Sequence, residues 1–287
     1  MFRNYKLRPM LLEEVDKPFN DKDYLYEIKF DGIRALIYVS KNTFKIMSRN
    51  GNDLTSKYPE LKDIQKIVGN HEVIFDGEII ATLHGLPSFS LLQKRNRVKK
   101  VSNKLVLEIP VCFVAFDILY DNRDLTVFPL TKRKNILNQY EDTEHFILSK
   151  VYLEGIKLFK MVKKIGLEGI VAKKKSSKYY SKERTWDWVK IKNIHVDNFV
   201  VHAYLEKTYT YSLFLGEDKT QELKFVGKVS INKRHPLILE LKGLKKIDNQ
   251  FVNLEEDAIY VEPIKKVRVK YLERLKSGVL RHATIDE

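Results

Sequence analysis

The amino-acid sequence predicts an α+β protein of two domains, residues 1–193 and 194–287, the first of antiparallel sheets and helices, the second a small β-barrel. Three observations carry that reading. Up to Asn193, short runs rich in β-branched and aromatic residues are interspersed with helix-like patches, whereas beyond it such runs follow one another with few helix signals. The charge changes at the same place: residues 1–193 hold 36 basic and 24 acidic side chains (+12), residues 194–287 hold 16 and 14 (+2), which together make the net +14. A chain of 287 residues is also about two ordinary domains long.

The strands expected in the first part are Tyr24 to Phe30, Ala35 to Val39, Phe44 to Ser48, Glu72 to Ala81, Val111 to Leu119, Gly169 to Lys173 and Trp188 to Lys192. Between them lie helix candidates. Leu61 to Val68 places apolar residues at 61, 64, 67 and 68; Pro87 to Val98 centres on Phe89, Leu91 and Leu92; Leu130 to Tyr140 and Tyr152 to Ile165 are longer. After Asn193 the strands are Asn198 to Glu206, Tyr209 to Leu215, Leu223 to Ser230 and Ala258 to Tyr271. Short strands in a domain of this size fit an OB-type barrel, and a sandwich would read similarly.

Composition narrows the function. The single cysteine, Cys112, excludes an intramolecular disulfide and any Cys-based zinc site and suits a reducing, intracellular compartment. The basic N-terminal segment has no apolar core of a signal peptide, and no run of 18 apolar residues offers a membrane span. An excess of 14 positive charges points to a polyanionic partner. The seven histidines show no metal-ligand spacing.

The segment Tyr26-Glu27-Ile28-Lys29-Phe30-Asp31-Gly32-Ile33-Arg34 concentrates the chemistry. On a strand of period two, Tyr26, Ile28 and Phe30 face a core while Glu27, Lys29 and Asp31 share the other side, and a turn at Asp31-Gly32 returns Arg34 to the same place. Asp76 and Glu78 likewise share a strand face, as do Lys190 and Lys192, and Glu168 stands at the entry of the apolar strand that follows it. Carboxylates suit Mg²⁺ and paired lysines suit phosphates. Taken singly, each of these patterns is also what a surface strip of ion pairs looks like.

Together they resemble the covalent nucleotidyltransferases, most closely the ATP-dependent DNA ligases of the small bacterial, ligase-D-like or phage type. Lys29 to Arg34 is similar to the K-x-D-G-x-R motif I, Ser48-Arg49-Asn50-Gly51 to S-R-x-G, Phe75 to Glu78 to motif III, Phe116-Asp117-Ile118 to motif IIIa, Glu168 to Lys173 to motif IV and Trp188 to Lys192 to motif V, in the family's order. Leu280-Arg281-His282-Ala283 resembles the sixth motif loosely.

The resemblance implies a nucleotidyltransferase domain of ATP-grasp-like architecture followed by an OB-fold domain, and nick sealing in duplex DNA through a lysyl-AMP and a DNA-adenylate. Lys29 would be the nucleophile. Glu27 would read the adenine edge, Phe116 would stack on the purine, and Arg34 and Glu78 would reach the sugar. Lys190 and Lys192 would hold the α-phosphate, Glu78 and Glu168 would bind Mg²⁺ or Mn²⁺ in its place, and Arg49 would grip the nick 5′-phosphate, with Arg184 and Arg281 as further DNA or phosphate contacts. Neighbouring cations, Arg34, Lys190 and Lys192, would help make Lys29 a neutral amine. Apart from the resemblance, the basic runs Lys94 to Lys100 and Lys173 to Lys175 read by their charge either as tracks for the DNA backbone or as solvated faces. Only 28 residues precede Lys29, so the expectation is a minimal, monomeric, intracellular and nucleoid-associated enzyme that uses ATP rather than NAD. The rival readings are an RNA ligase or capping guanylyltransferase of the same superfamily and a non-catalytic OB protein that binds nucleic acid.

Overall fold

A computed structural model describes residues 1–218 and 222–286. The chain divides into two compact units, Met1–Asn193 and Ile194–Glu287.

The strands of the first unit, in chain order, are β1 (Leu11–Glu14), β2 (Tyr24–Lys29), β3 (Ile33–Val39), β4 (Phe44–Ser48), β5 (Val73–Leu83), β6 (Leu86–Pro87), β7 (Val111–Asp121), β8 (Phe146–Leu148), β9 (Gly169–Lys174) and β10 (Arg184–Lys192). Its helices are α1 (Gln65–Val68), α2 (Phe89–Arg97), α3 (Asn103–Glu108), α4 (Leu130–Leu137) and α5 (Gly155–Lys164). The strands form two sheets, one ordered β1-β10-β9-β2 and the other β4-β3-β5-β7-β8 with β6 on β5. The expectation of purely antiparallel sheets needs correcting, because β1 pairs with β10 and β7 with β8 in parallel. Parallel neighbours need a long crossover, and both pairs have one.

The two sheets share a core. Leu25 of β2 and Trp188 of β10 pack with Leu36 and Tyr38 of β3, Met47 of β4, Ile74 of β5 and Leu119 of β7. The outer face of the second sheet buries Ala35, Ile37, Val39, Phe75, Phe113 and Ala115 with Leu92 of α2. The outer face of the first buries Tyr26, Ile170, Ala172, Val189 and Ile191 under Leu158 and Val162 of α5. Strands covered on both faces read as continuous apolar runs, which is why β3, β5 and β7 stand out in the sequence. The candidate over 61–68 is a 3₁₀ segment, Pro59–Ile64, followed by the single turn of α1, which stops at Gly69.

The second unit has β11 (His195–Glu206), β12 (Thr210–Asp218), β13 (Leu223–Asn232), α6 (Leu237–Lys242), β14 (Ile259–Tyr260), β15 (Lys266–Tyr271), β16 (Glu273–Arg274), β17 (Leu280–Arg281) and β18 (Thr284–Ile285). One antiparallel sheet runs β13-β12-β11-β15-β18, with β14 also on β11, and β16 and β17 make a separate hairpin. A bulge between Val201 and Ala203 shifts the parity of β11: Phe199 and Val201 enter the same cluster as Tyr204, while Ala203 turns to the other face with Phe214 and Phe251. The single strand expected over 258–271 is two, separated at Pro263, which has no N–H to donate to a ladder.

Candidate active site

Strand register assembles the site. Across β2, β9 and β10, Lys29 lies opposite Gly169 and Gly169 opposite Lys192; Glu27 lies opposite Val171 and that opposite Lys190; Leu25 lies opposite Lys173 and that opposite Trp188. Directly opposed residues point to one face. Leu25, Glu27, Lys29, Lys173, Trp188, Lys190 and Lys192 therefore share a face, and alternate residues pack under α5. The alternation expected of Glu27 and Lys29 against Tyr26 and Ile28, and of Lys190 and Lys192 against Val189 and Ile191, is the one observed.

Lys29 Nζ contacts Glu168 Oε2 at 2.7 Å. The approach depends on Gly169, whose φ is +152° and where a Cβ would come within 2.1 Å of the Ile191 carbonyl oxygen. From the second sheet, Arg34 of β3 lies opposite Glu78 of β5. Arg34 donates to both oxygens of Asp76, at 3.1 and 2.7 Å, and Tyr179 donates its hydroxyl to the same carboxylate at 2.7 Å. Burial pushes the Glu78 carboxyl up to about 8; Glu168 and Asp76 add to the shift, and Lys29 and Arg34 oppose it. Glu78, Glu168 and Lys29 are thus brought together.

Glu27 is fully buried. Lys134 of α4 ion-pairs with Oε1 at 2.5 Å, and Oε2 accepts from Lys173 at 3.1 Å and Ser149 at 3.0 Å. Burial disfavours its charge, but the attraction of Lys134 and Lys173 outweighs that and holds the carboxyl below the usual range. Burial in turn lowers Lys173 to about 8, with Lys134 adding and Glu27 opposing. The Lys173 ammonium lies 4.2 Å from the centre of the half-buried Phe116 ring and 4.4 Å from that of Trp188, and the Arg34 guanidinium lies 5.2 Å from Phe116. Phe116 thus has a cationic, aromatic setting rather than a purely apolar one. The following residue, Asp117, is committed to a buried bidentate pair with Arg133, both bonds at 2.9 Å.

Several expected neighbours carry partners of their own. Lys190 and Lys192 both reach Glu14 of β1, at 3.2 and 2.9 Å, and Arg34 is held by Asp76, so these cations do not stand unpaired around Lys29. Lys173 is buried and cannot track a DNA backbone, and Arg95, the second residue of the other basic run, is buried against Glu60. Arg49 is exposed on the turn after β4. Arg184 is exposed at the start of β10 and donates to the Leu12 carbonyl. Arg281, in the second unit, pairs with Glu273 across the β16–β17 hairpin at 2.9 Å. Among the described residues no three His, Cys, Asp or Glu gather as a metal cluster.

Lys134, Ser149, Tyr179 and Glu14 escaped the sequence reading. For Lys134 a signal existed, since Leu130, Arg133, Lys134 and Leu137 recur at helical spacing on one face. Two buried cations on that face mark partners across it.

Comparison with known proteins identifies the family independently of this geometry. Residues 9–192 match the family model of the ATP dependent DNA ligase domain. The chain is 32% identical over 279 residues to the SPbeta prophage-derived DNA ligase-like protein LigB of Bacillus subtilis, covering 95% of each. It is 27% identical over 278 residues to the multifunctional non-homologous end joining DNA repair protein LigD of Mycobacterium tuberculosis, covering 91% of this chain but only 35% of that one. The structure of a mycobacterial DNA ligase D complexed with ATP and MES superposes with a TM-score of 0.61 at 26% identity, over 99% of this chain and 95% of that one. The matched domain makes this a nucleotidyltransferase of the ligase class. The chain belongs to the ATP-dependent DNA ligase family.

Proposed function

We propose that this chain seals nicks in duplex DNA, with residues 1–193 as the adenylation domain and 194–287 as an OB-fold domain. The observation that carries the reading is the Lys29–Glu168 contact on a face that also holds Glu27, Lys190 and Lys192, in a member of this family. The Lys29 nitrogen attacks the α-phosphorus of ATP as a neutral amine; the N–P bond forms, the bond to pyrophosphate breaks, and the ammonium proton leaves toward Glu168. AMP then passes to the 5′-phosphate of the nick, and the 3′-hydroxyl displaces it. Glu27 reads the adenine edge, Phe116 stacks on the base, Arg34 and Glu78 lie toward the sugar, and Lys190 and Lys192 hold the α-phosphate, which competes with Glu14 for them. Arg49, exposed on its turn, takes the nick 5′-phosphate, and Arg184 and Arg281 are further contacts to DNA.

Mg²⁺ fits the carboxylates present. It takes one or two carboxylates and completes its shell with water and substrate phosphates, so a three-residue cluster is not required, and Mn²⁺ has the same preference. Glu78 and Glu168 would hold it, and their mutual repulsion, part of what raises Glu78, is the electrostatic demand a divalent cation meets. When bound, it neutralises phosphate charge. The end-joining role in the names of the LigD relatives suggests duty in repair. A monomer acting at the nucleoid fits the charge, and among the described residues no helix is long and apolar enough to cross a membrane.

Intact-protein mass measurement after incubation with ATP and Mg²⁺ should show one added AMP, lost in Lys29→Ala, and the labelled protein should then join a nicked duplex. Retention of AMP by Lys29→Ala, or preference for GTP, would sink the reading.

A further inference from the structure

A cluster of three buried charges is built around Glu27, the carboxylate assigned above to the adenine edge. Glu27, Lys134 and Lys173 are each almost fully buried, and Ser149 donates to the same carboxylate oxygen as Lys173, Oε2. Two ammonium groups face one carboxylate, so the cluster carries a net +1. Asp117, whose charge also acts on Lys173, is neutralised by Arg133. For stability alone this is a poor arrangement, because desolvating ions costs several kcal/mol each and buried ion pairs are often replaced by apolar groups at no loss. One lysine would already balance the charge of Glu27, so the second adds a buried charge in excess. The second therefore needs another explanation.

The two lysines differ in what else they touch. Lys173 also donates to the Phe116 carbonyl, at 3.4 Å, and lies over the Phe116 and Trp188 rings, so it belongs to the lining of the base site. Lys134 projects from α4 and pairs with the other carboxylate oxygen, Oε1. Resting on the assignment of Glu27 to the adenine edge, we propose that Lys134 is a positioning residue for base selection: by binding Oε1 it keeps Glu27 ionised and fixed in one orientation. The chemistry of the purines makes that matter. Adenine offers an amino donor at the position where guanine offers a carbonyl acceptor. A carboxylate that stays ionised accepts from the amino group and repels the carbonyl, whereas a loosened or protonated carboxyl loses that distinction. An unpaired partner is costly in such a site, so discrimination should exceed what shape alone supplies.

The test is the initial rate of self-labelling with ATP and with GTP, each with Mg²⁺, read by intact mass at several nucleotide concentrations. Lys134→Met keeps the stem and lowers the cluster to zero net charge. It should cut the ATP over GTP preference at least tenfold, with most of the change in KM for ATP, while Lys134→Arg, which retains the cation, restores most of the preference. Equal slowing with both nucleotides, or an unchanged ratio, would overturn the role of Lys134 and leave the ligase reading standing. An unchanged ratio in Glu27→Gln would instead show that Glu27 does not read the base, and both assignments would fall.

Discussion

Burial pushes the Glu78 carboxyl far above the ordinary carboxylate range, and its setting makes a pH prediction with a definite sign. Its native pKa of about 8 lies above the ordinary 4.5, so between those values the folded chain binds a proton that the unfolded chain releases. Glu78 therefore contributes stability below about pH 4.5 that is lost as pH rises through about 8, at up to ~1.4 kcal/mol per pH unit. In Glu78→Gln, whose neutral amide resembles the protonated acid, that loss is absent. Urea unfolding in EDTA should show the variant gaining on the wild type from pH 5 to pH 8, and a constant difference would mean that Glu78 is ionised throughout. Glu14 sits in the opposite situation: burial disfavours its charge, but Lys192 and Lys190 prevail and hold it low, so it stays a carboxylate that phosphate oxygens must displace.

Among the elements, the junction of Glu168 with β9 places the Lys29 contact. Alanine at Gly169 would drive a Cβ toward the Ile191 carbonyl and force a φ of +152° on a residue that avoids it. Such strain costs roughly 1–3 kcal/mol, and any relief that parts β9 from β10 draws Glu168 from Lys29. Gly169→Ala should therefore lower both the thermal midpoint and the rate of self-labelling; a full rate in a destabilised variant would separate the glycine from the chemistry. The same junction shows what could be read in advance. The period-two alternation of Glu27, Lys29, Lys190 and Lys192, and the long apolar runs of β5 and β7, are visible in the sequence because burial on defined faces imposes them. The parallel strand β1 is not, since four residues, Leu-Leu-Glu-Glu, carry no alternation and take their place from β10. Nor is the partner of Lys29 obvious, because Glu168 lies 139 residues away and register alone brings it there.

At the scale of the whole molecule, charge decides how DNA is met. The excess of +12 over residues 1–193 includes the run at 94–100, whose second residue, Arg95, is buried in a bidentate pair with Glu60 and also donates to the carbonyls of Lys57 and Ile109. Lys57 in turn grips the carbonyls of Asn96, Val98 and Lys99. The backbone of the run is thus braced from inside, and Lys94, Arg97, Lys99 and Lys100 are exposed on it; among the described residues none of the four forms an ion pair, whereas Lys45, Lys66, Lys157 and Lys228 each pair with an acidic side chain. Exposed unpaired cations on a braced backbone can meet phosphates without breaking an ion pair first, and they release the counterions condensed there. Changing all four to glutamine should leave self-labelling by ATP intact and weaken binding to a nicked duplex. The slope of log affinity against log salt should flatten by ~0.9 for each phosphate that the variant no longer neutralises, at most ~3.6 for four. Titration of labelled nicked DNA from low to physiological salt measures both slopes. If they are equal, the run is a solvated surface, and DNA is held by other parts of the +14 chain.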